Sequence, residues 1–291
     1  MKRGSIGDTT YDIIVYIFVT FILIITLYPF IYVISMSISD QMAVVRGDVM
    51  LLPIGFDISA YKTIFSNDDI WRYYYNTVWY TVVGTTFNVI FTVLMAYPLS
   101  KKQFFAKNFF TIVIIITMFF GGGLIPLYIV VVKLGLYNTR WALILPGLAS
   151  AWNIIIARTF FSSLPEELFE CARIEGASEL NVLSRIVIPL SKPILAVLTL
   201  FYGVAHWNSF FFAMLFLTDA DLHPIQIYLR RILLQSSQEM ASDSGLALGG
   251  SLSMLQVKYA LIVVAIFPIV ILYPFLQKYF VKGVMIGALK G

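Results

Sequence analysis

Six long apolar runs constrain this sequence more than any other feature. A helix of about 20 apolar residues crosses the roughly 30 Å hydrocarbon core of a bilayer, and it pairs its own backbone polar groups there. The runs therefore predict an all-α integral membrane protein with six transmembrane helices. The predicted spans are Ile13–Ile38, Tyr74–Tyr97, Phe109–Val132, Trp141–Phe161, Pro193–Leu217 and Val257–Phe280.

The composition excludes several classes of protein. The chain is 59% hydrophobic and 12% charged, and a soluble domain of this length needs more charge to cover its surface. One cysteine, Cys171, and two histidines, His206 and His223, exclude an internal disulfide and metal sites built from cysteines or from a histidine cluster. The sequence also lacks a G-x-x-x-x-G-K-[ST] phosphate loop. We therefore expect no enzyme activity, no cofactor bound by this chain and no nucleic-acid partner.

The distribution of charge predicts the orientation. The first apolar run is too long for the hydrophobic region of a signal peptide, and we interpret it as an uncleaved span. With the N-terminus inside, the inner segments are enriched in Lys and Arg, and the short loop with Lys101, Lys102 and Lys107 shows this most clearly. This is the positive-inside bias of a multi-pass protein with both termini in the cytoplasm. No internal repeat is visible, so we expect one transmembrane domain over residues 1–291.

The inner segment 162–192 differs from its surroundings in length and mixed charge. Ser163–Glu166 has the pattern of a capping box, which predicts the start of a short amphipathic helix. Gly176 permits a turn, Ser178 is suited to cap a second helix, and we expect Pro189 to stop it. The expected boundaries are Ser163 to Ile174 for the first helix and Ser178 to Val187 for the second.

The spacing within this segment resembles the EAA loop of permease subunits in binding-protein-dependent ABC importers. That pattern is Glu-Ala-Ala, three residues, Gly, nine residues and Ile-x-Leu-Pro. Here Cys171 replaces an alanine and Ile188 replaces the leucine, and both changes preserve size or polarity. The residues that the resemblance assigns to ATPase coupling are Glu170, Cys171, Ala172, Gly176, Ile186, Ile188 and Pro189.

Other parts of the chain also resemble sugar-importing members of this family. Lys133–Pro146 is similar to their loop before span four, and Trp207-Asn208 in span five and the tail from Lys282 to Gly291 are similar to the corresponding parts of these permeases. Phe119–Pro126 is similar to a branch that imports alginate and pectin fragments. In similar permeases the tail reaches between the ATPase subunits. The chain as a whole is also similar to the second permease of the maltose transporter.

The resemblance implies a type I ABC importer permease fold with a cytoplasmic coupling-helix loop, in a bacterial cytoplasmic membrane. It also implies a cytoplasmic ATPase dimer that carries ATP and Mg²⁺, an extracytoplasmic solute-binding protein and a second permease subunit. The second permease is expected to be a different chain (a heterodimer), and a homodimer is the alternative. The solute would be an oligosaccharide, moved by alternating access. Membrane lipid would contact the outside of the permease.

Polar residues at mid-membrane depth are costly and mark candidate pathways. Sugars offer hydroxyls to amides and imidazole, and apolar faces to aromatic rings. The candidates by position are Asn88, Trp152, Asn153, His206, Trp207 and Asn208. The alternative is that these side chains hydrogen-bond one helix to another. Gly121–Gly123 likewise either loosens span three or permits close helix packing. Among the six candidates, His206 is the preferred residue for substrate specificity.

The outer segments and the solute each permit two interpretations. The outer segments Ser39–Tyr73 and Thr218–Gln256 are long, and each is either a partner contact or a solvated connection. The solute is either an oligosaccharide or a non-sugar solute of another ABC importer. An ion-driven secondary transporter is a weaker alternative, because none of the acidic residues falls clearly inside a span.

Overall fold

The computed structural model describes residues 6–241 and 248–288, and the side-chain surroundings of residues 10–236 and 254–274. The described residues are helical throughout apart from short connections and one isolated β-bridge between Ser39 and Phe56. They form two compact units. One extends to Ile70 and adds Leu229–Phe267, and the other comprises Trp71–Tyr228 and the residues from Pro268 onward.

The first unit contains the first span and most of the long outer segment. Its helices are α1 (Ile6–Ser37), α2 (Gln41–Arg46) and α3 (Ser59–Phe65). The carboxylate of Asp40 accepts hydrogen bonds from the Met42 and Ala43 amides and so caps α2. The buried amide of Gln256 donates to the Ser39 carbonyl at 2.8 Å. The outer segment 39–70 is therefore a folded element.

The helices that follow lie in the second unit, except that α4 begins with the last three residues of the first. They are α4 (Asp68–Ser100), α5 (Lys107–Phe119), α6 (Leu124–Lys133), 3₁₀ turns at Arg140–Leu143 and Leu145–Gly147, α7 (Ala151–Ser162), α8 (Glu167–Ile174), α9 (Glu179–Val182), a π-helical turn at Leu183–Val187, α10 (Ile188–Leu190), α11 (Lys192–Trp207), α12 (Phe211–Phe216), and a 3₁₀ turn at Ala220–Leu222. Two further helices, α13 (Ile225–Ala241) and α14 (Leu248–Ala288), run through both units.

The spans follow the predicted apolar runs. In the described part of the chain, three helices are long and apolar enough to cross a membrane, and three bent helix pairs raise the number to six if each pair is one span. The continuous spans are Thr10–Ser37, Asp68–Ser100 and Met254–Pro274. The all-helical membrane fold is thus confirmed.

The third predicted span is not one straight helix. It divides into α5 and α6, and the chain bends by 115° between them. Gly123 at the break has φ +83° and ψ 172°, a backbone region that is essentially restricted to glycine. The glycine run 121–123 therefore breaks the span, which is more than the loosening expected from the sequence.

The fourth and fifth predicted spans are also interrupted. Trp141–Phe161 becomes two 3₁₀ turns followed by α7, at an angle of 53°. Ser150 restarts the helix by accepting a hydrogen bond from the Asn153 amide. The fifth span was predicted as one helix that reaches Leu217. Instead α11 ends at Trp207, and a separate helix, α12, begins at Phe211.

Inside the inner segment, two predicted helix boundaries are wrong. Ser163 does not cap a new helix. It is the C-cap of α7 and its hydroxyl donates to the Phe160 carbonyl, while α8 starts at Glu167 without a side-chain cap. Pro189 does not stop the second helix. It lies in the first turn of α10, where its missing N–H costs little, and the chain instead turns by 83° at Ser191.

One hydrophobic core joins the spans to the inner segment. Buried residues of α4, α7 and α11, such as Ala96, Ala157 and Leu198, belong to the same cluster as Phe169 and Val187 of the inner segment. Protein interiors are close-packed and transmit displacement. The inner segment is therefore continuous in packing with the spans.

Candidate coupling loop and transport pathway

The inner loop turns at Gly176 by a specific helix ending. Gly176 has φ +75°, its amide donates to the Arg173 carbonyl at 3.0 Å, and the Ala177 amide donates to the Ala172 carbonyl at 2.9 Å. These two bonds form a Schellman motif, which requires the left-handed conformation that glycine adopts without strain. Ser178 then caps α9 by accepting from the Asn181 amide. The predicted turn and second cap are both present.

The motif residues divide between the core and the surface. Ala172 is buried and Ile186 is half-buried, whereas Glu170, Cys171, Gly176, Ile188 and Pro189 are exposed. The structure also exposes two apolar side chains that the sequence analysis did not select, Ile174 at 87% and Leu180 at 72%. They flank the Gly176 turn. An isolated apolar residue on each side of this glycine was the sequence signal that could have identified them.

A polar joint connects the loop to the end of α4. The Tyr97 hydroxyl donates to Glu179 Oε2 at 2.6 Å, and Arg173 approaches Glu179 Oε1 at 3.4 Å. Lys101 Nζ lies 3.3 Å from the centre of the Phe169 ring and 4.5 Å from that of Tyr97. Burial lowers the pKa of the Lys101 ammonium, and the charge of Glu179 opposes that shift. The joint thus links α4, α8 and α9 by charged and aromatic contacts.

Three further contacts attach the loop's surroundings to the same end of α4. Lys102 forms an ion pair with Glu166 just before α8. Arg158 Nε of α7 donates to the Leu99 carbonyl at 3.1 Å, and the Ser162 hydroxyl donates to the Ser100 carbonyl at 3.3 Å. These bonds satisfy carbonyls at the C-terminal end of α4 that have no partner within the helix.

Two of the pathway candidates, Asn88 and His206, are in direct contact. Asn88 Oδ1 lies 2.6 Å from His206 Nε2, and Asn88 Nδ2 donates to the carbonyls of Gly147 and Leu148 at 2.6 and 2.8 Å. Asn88 is fully buried. It therefore satisfies the backbone exposed where the fourth span breaks, which is the helix-to-helix role considered as the alternative.

Gly84 explains how His206 approaches α4 so closely. A Cβ atom placed on Gly84 would lie 2.5 Å from His206 Nε2. Thr92 lies one turn after Asn88 on α4, and Tyr202 lies one turn before His206 on α11. Their hydroxyls are 2.7 Å apart, and the Ser150 amide donates to the Tyr202 hydroxyl at 3.1 Å. Sequence reasoning missed Gly84, although a glycine inside an apolar span is a signal of close packing.

The other candidates are dispersed. Trp152 is exposed on α7 and Asn153 beside it is buried. Trp207 is buried with its ring edge-on to Tyr74 at 6.1 Å. Asn208 follows the end of α11, and its side chain donates to the Val204 carbonyl at 2.9 Å, which satisfies the end of that helix. The structure therefore brings together Asn88 and His206 but does not gather all six residues into one site, and their role in substrate contact remains a prediction.

A cavity of about 520 Å³ lies within the second unit between α4, α11 and α14. Trp207 lines it, together with Thr81, Thr85 and Thr86 of α4 and Gly203 of α11. The hydroxyls of Thr81 and Thr85 are buried and have no hydrogen-bond partner among the described residues. Unpaired buried hydroxyls are rare, so a water or ligand hydroxyl in this cavity would satisfy them.

Broken spans that share one core with an exposed inner loop define the chain as a membrane-embedded transport subunit. It belongs to the family of binding-protein-dependent transport system inner membrane components, which matches residues 88–286. It is accordingly the multi-pass inner-membrane permease of an ABC transporter and not its catalytic subunit. Membership of this family implies a partner ATPase and a solute-binding protein.

Relatives match the chain over nearly its whole length. It is 39% identical over 281 residues to the polygalacturonan/rhamnogalacturonan transport system permease protein YtcP of Bacillus subtilis strain 168, covering 97% of this chain and 98% of that protein. It is 41% identical over 268 residues to protein LplC of the same strain, with coverage of 92% and 90%. A chain in the crystal structure of a bacterial ABC transporter involved in the import of the acidic polysaccharide alginate superposes with a TM-score of 0.87 at 37% identity, covering 96% of this chain and 100% of that chain.

Proposed function

We propose that this permease imports oligosaccharides, including acidic ones, and that segment 162–192 receives the motion of the ATPase. The observation that carries the proposal is the single hydrophobic core shared by the spans and the loop, reinforced by the Tyr97–Glu179 hydrogen bond. Because packed interiors shift between discrete arrangements and do not deform smoothly, movement of the loop displaces α4 and α11 with it.

The exposed surface around Gly176 supports the docking of an ATPase subunit. Ile174 and Leu180 are the most exposed large apolar side chains of this segment, in which Leu190 is also exposed. Burial of such side chains is favourable when a partner covers them. In this proposal Glu170, Cys171, Ile188 and Pro189 belong to the docking surface, whereas Ala172 and Ile186 hold the loop to the core.

The partners and orientation extend the proposal. The loop and both termini lie in the cytoplasm, as the lysines of segment 98–108 favour. The ATPase dimer binds ATP and Mg²⁺, and this chain itself binds no cofactor. A second permease completes the pathway. Large apolar side chains remain exposed at most positions of α1 between Tyr11 and Ile34, which suits contact with both lipid and another membrane subunit.

The solute is proposed from two supports. Relatives bear names of polygalacturonan, rhamnogalacturonan and arabinooligosaccharide transport, and a similar structure is that of an alginate importer. In addition, the mainly aliphatic cavity beside Trp207 places an indole ring near the unpaired hydroxyls of Thr81 and Thr85. An aromatic face together with hydroxyl groups is suited to a sugar ring, which has both apolar faces and polar edges.

The proposal is tested by purifying the tagged chain in mild detergent from its native membrane and identifying the proteins that accompany it. We expect an ATPase with a phosphate loop and a second permease. The double variant Ile174→Asp/Leu180→Asp should lose the ATPase and retain the second permease, because charges would be placed in an apolar contact.

The matched control is Leu134→Asp, which makes the same change at an exposed leucine just after α6. It should retain both partners. Retention of the ATPase by the double variant would contradict the docking surface. Purification of the wild-type chain without any ATPase would contradict the proposal as a whole.

A further inference from the structure

The outer end of α4 holds an arginine between aromatic rings. The guanidinium carbon of Arg140 lies 5.5 Å from the centre of the Tyr75 ring and 5.1 Å from that of Trp79. Trp141 continues the group, edge-on to Trp79 at 6.1 Å. Tyr75 is 59% exposed and Trp141 is 39% exposed. A cationic side chain and flat apolar surfaces are thus presented together.

Asn76 fixes the position of the arginine. Its Nδ2 donates to the carbonyls of Asp221 and His223 at 2.7 and 3.1 Å, and its Oδ1 accepts from Arg140 Nη2 at 2.9 Å. Asn76 is fully buried, so these three hydrogen bonds are shielded from water. A guanidinium has five N–H donors, and the bond to Asn76 uses one of them.

No carboxylate neutralises Arg140 within the described part of the chain. The acidic group on the adjoining turn, Asp221, is paired with Arg72 at 2.6 Å. A guanidinium held by a neutral amide and two rings retains its charge for a further partner. Arg72 and Arg140 differ in this respect, although both lie at the same end of α4.

The arginine is aligned with the cavity along one face of α4. Tyr75, Val82 and Thr86 are spaced by seven and four residues, which places them on the same side of a helix. Val82 and Thr86 line the cavity beside Trp207. A ligand extended along this face would contact Arg140 at the outer end and the threonine hydroxyls further in.

We propose that Arg140, with Tyr75 and Trp79, binds the carboxylate of a uronate residue as an acidic oligosaccharide enters the permease. This inference rests on the proposed function and adds to it a residue that determines specificity. A uronate offers a planar carboxylate, which pairs with two guanidinium N–H groups at once. Its pyranose ring also offers an apolar face to the neighbouring aromatic rings.

Uptake into proteoliposomes tests the inference with the assembled transporter and its binding protein. The sugars are trigalacturonate, trimannuronate, the methyl ester of each, and arabinotriose, with the binding protein loaded in every case. We expect wild-type protein to take up at least one of the two acids. For that acid, Arg140→Gln should lower the uptake rate about tenfold relative to its ester.

Two variants separate charge recognition from general damage. Arg140→Lys retains the charge but loses the planar fork, and it should lie between wild type and Arg140→Gln. Lys133→Gln removes another positive charge, an exposed one at the end of α6, and it should leave the ratio of acid to ester uptake unchanged.

Each result has a distinct meaning. An equal fall for acid and ester in Arg140→Gln would show an arginine that only supports the outer surface of the membrane domain, and would overturn the inference. Uptake rates of acid and ester that both match wild type in Arg140→Gln would overturn it too. So would uptake of arabinotriose alone by wild-type protein, although oligosaccharide import would then stand. Uptake of none of the sugars would instead contradict the proposed function itself.

Discussion

At position 84, the absence of a side chain lets the imidazole of His206 lie directly against the backbone of α4. The same contact brings His206 Nε2 to Asn88, and Asn88 in turn satisfies the carbonyls of Gly147 and Leu148. One missing Cβ atom therefore supports a hydrogen-bonded connection between α4, α11 and the break in the fourth span.

The substitution Gly84→Ala should destabilise this connection. The added Cβ would meet His206 at 2.5 Å, and overpacking of this kind costs about 1–3 kcal/mol. Thermal unfolding of the detergent-purified protein measures the loss. Gly203→Ala is the matched control, because its Cβ would lie 3.7 Å from Thr85 Oγ1, an ordinary contact. Equal stability of the two variants would contradict the account.

At Gly176 a substitution should affect coupling and not membrane insertion. Among the described residues, no atom of another element lies within 4 Å of its Cβ position, so Gly176→Asp adds some backbone strain and a charge at the proposed docking surface. We expect normal amounts of inserted protein and no coupled uptake. Gly176→Asn has the same shape without the charge, tolerates the left-handed conformation, and should retain part of the uptake. Normal uptake by Gly176→Asp would argue against the docking surface.

Among the elements, the apolar runs predicted where spans lie but not where they bend. Run length depends on the sum of many side chains, whereas each break depends on one or two residues, such as Gly123 with its positive φ and Ser150 with its cap. Ser163 shows the same limit. Its pattern fits a helix start, but the preceding helix α7 extends to Ser162 and uses Ser163 as its end.

The joint between α4 and the coupling loop yields a prediction for the element that carries motion. Tyr97→Phe removes the hydroxyl that donates to the Glu179 carboxylate, a charge-assisted bond worth about 1.5–3 kcal/mol. We expect less sugar imported per ATP hydrolysed in proteoliposomes. Tyr80→Phe removes a bond of similar length to the Leu222 carbonyl at the other end of α4, and it should leave that ratio unchanged. The same ratio in both variants would contradict a role of the joint in coupling.

Over the whole molecule, the features that follow from local spacing were predictable. The Gly176 turn, the Ser178 cap and membership of the permease family all rest on residues close together in the sequence. The Asn76–Arg140 contact joins residues 64 positions apart, and neither residue is unusual in its own segment, so only the fold reveals it. The prediction of a single domain over residues 1–291 stays a prediction beside the two compact units. The last three residues of the tail lie outside the described residues.

Cys171 provides a test of orientation for the whole chain, because it is the single cysteine of the sequence and is exposed on α8. A membrane-impermeant maleimide should label it in inside-out vesicles after the ATPase has been washed away, and should leave it unlabelled in intact cells. Phe105→Cys/Cys171→Ser, which moves the thiol to the exposed tip of the Lys101–Lys107 loop, should show the same sidedness. Labelling of Cys171 from outside would reverse the assigned topology.

The same thiol gives the most direct measurement of the central claim, that the loop around Gly176 is the surface on which the ATPase acts. The rate of maleimide reaction at Cys171 is compared between the assembled transporter and the detergent-purified chain alone. The thiol of the variant Phe105→Cys/Cys171→Ser is the reference. The account predicts that the ATPase slows the reaction at Cys171 by about tenfold or more and that ATP changes the protected rate, since docking covers α8. If the complex is intact and Cys171 still reacts at the same rate as in the chain alone, the claim is contradicted.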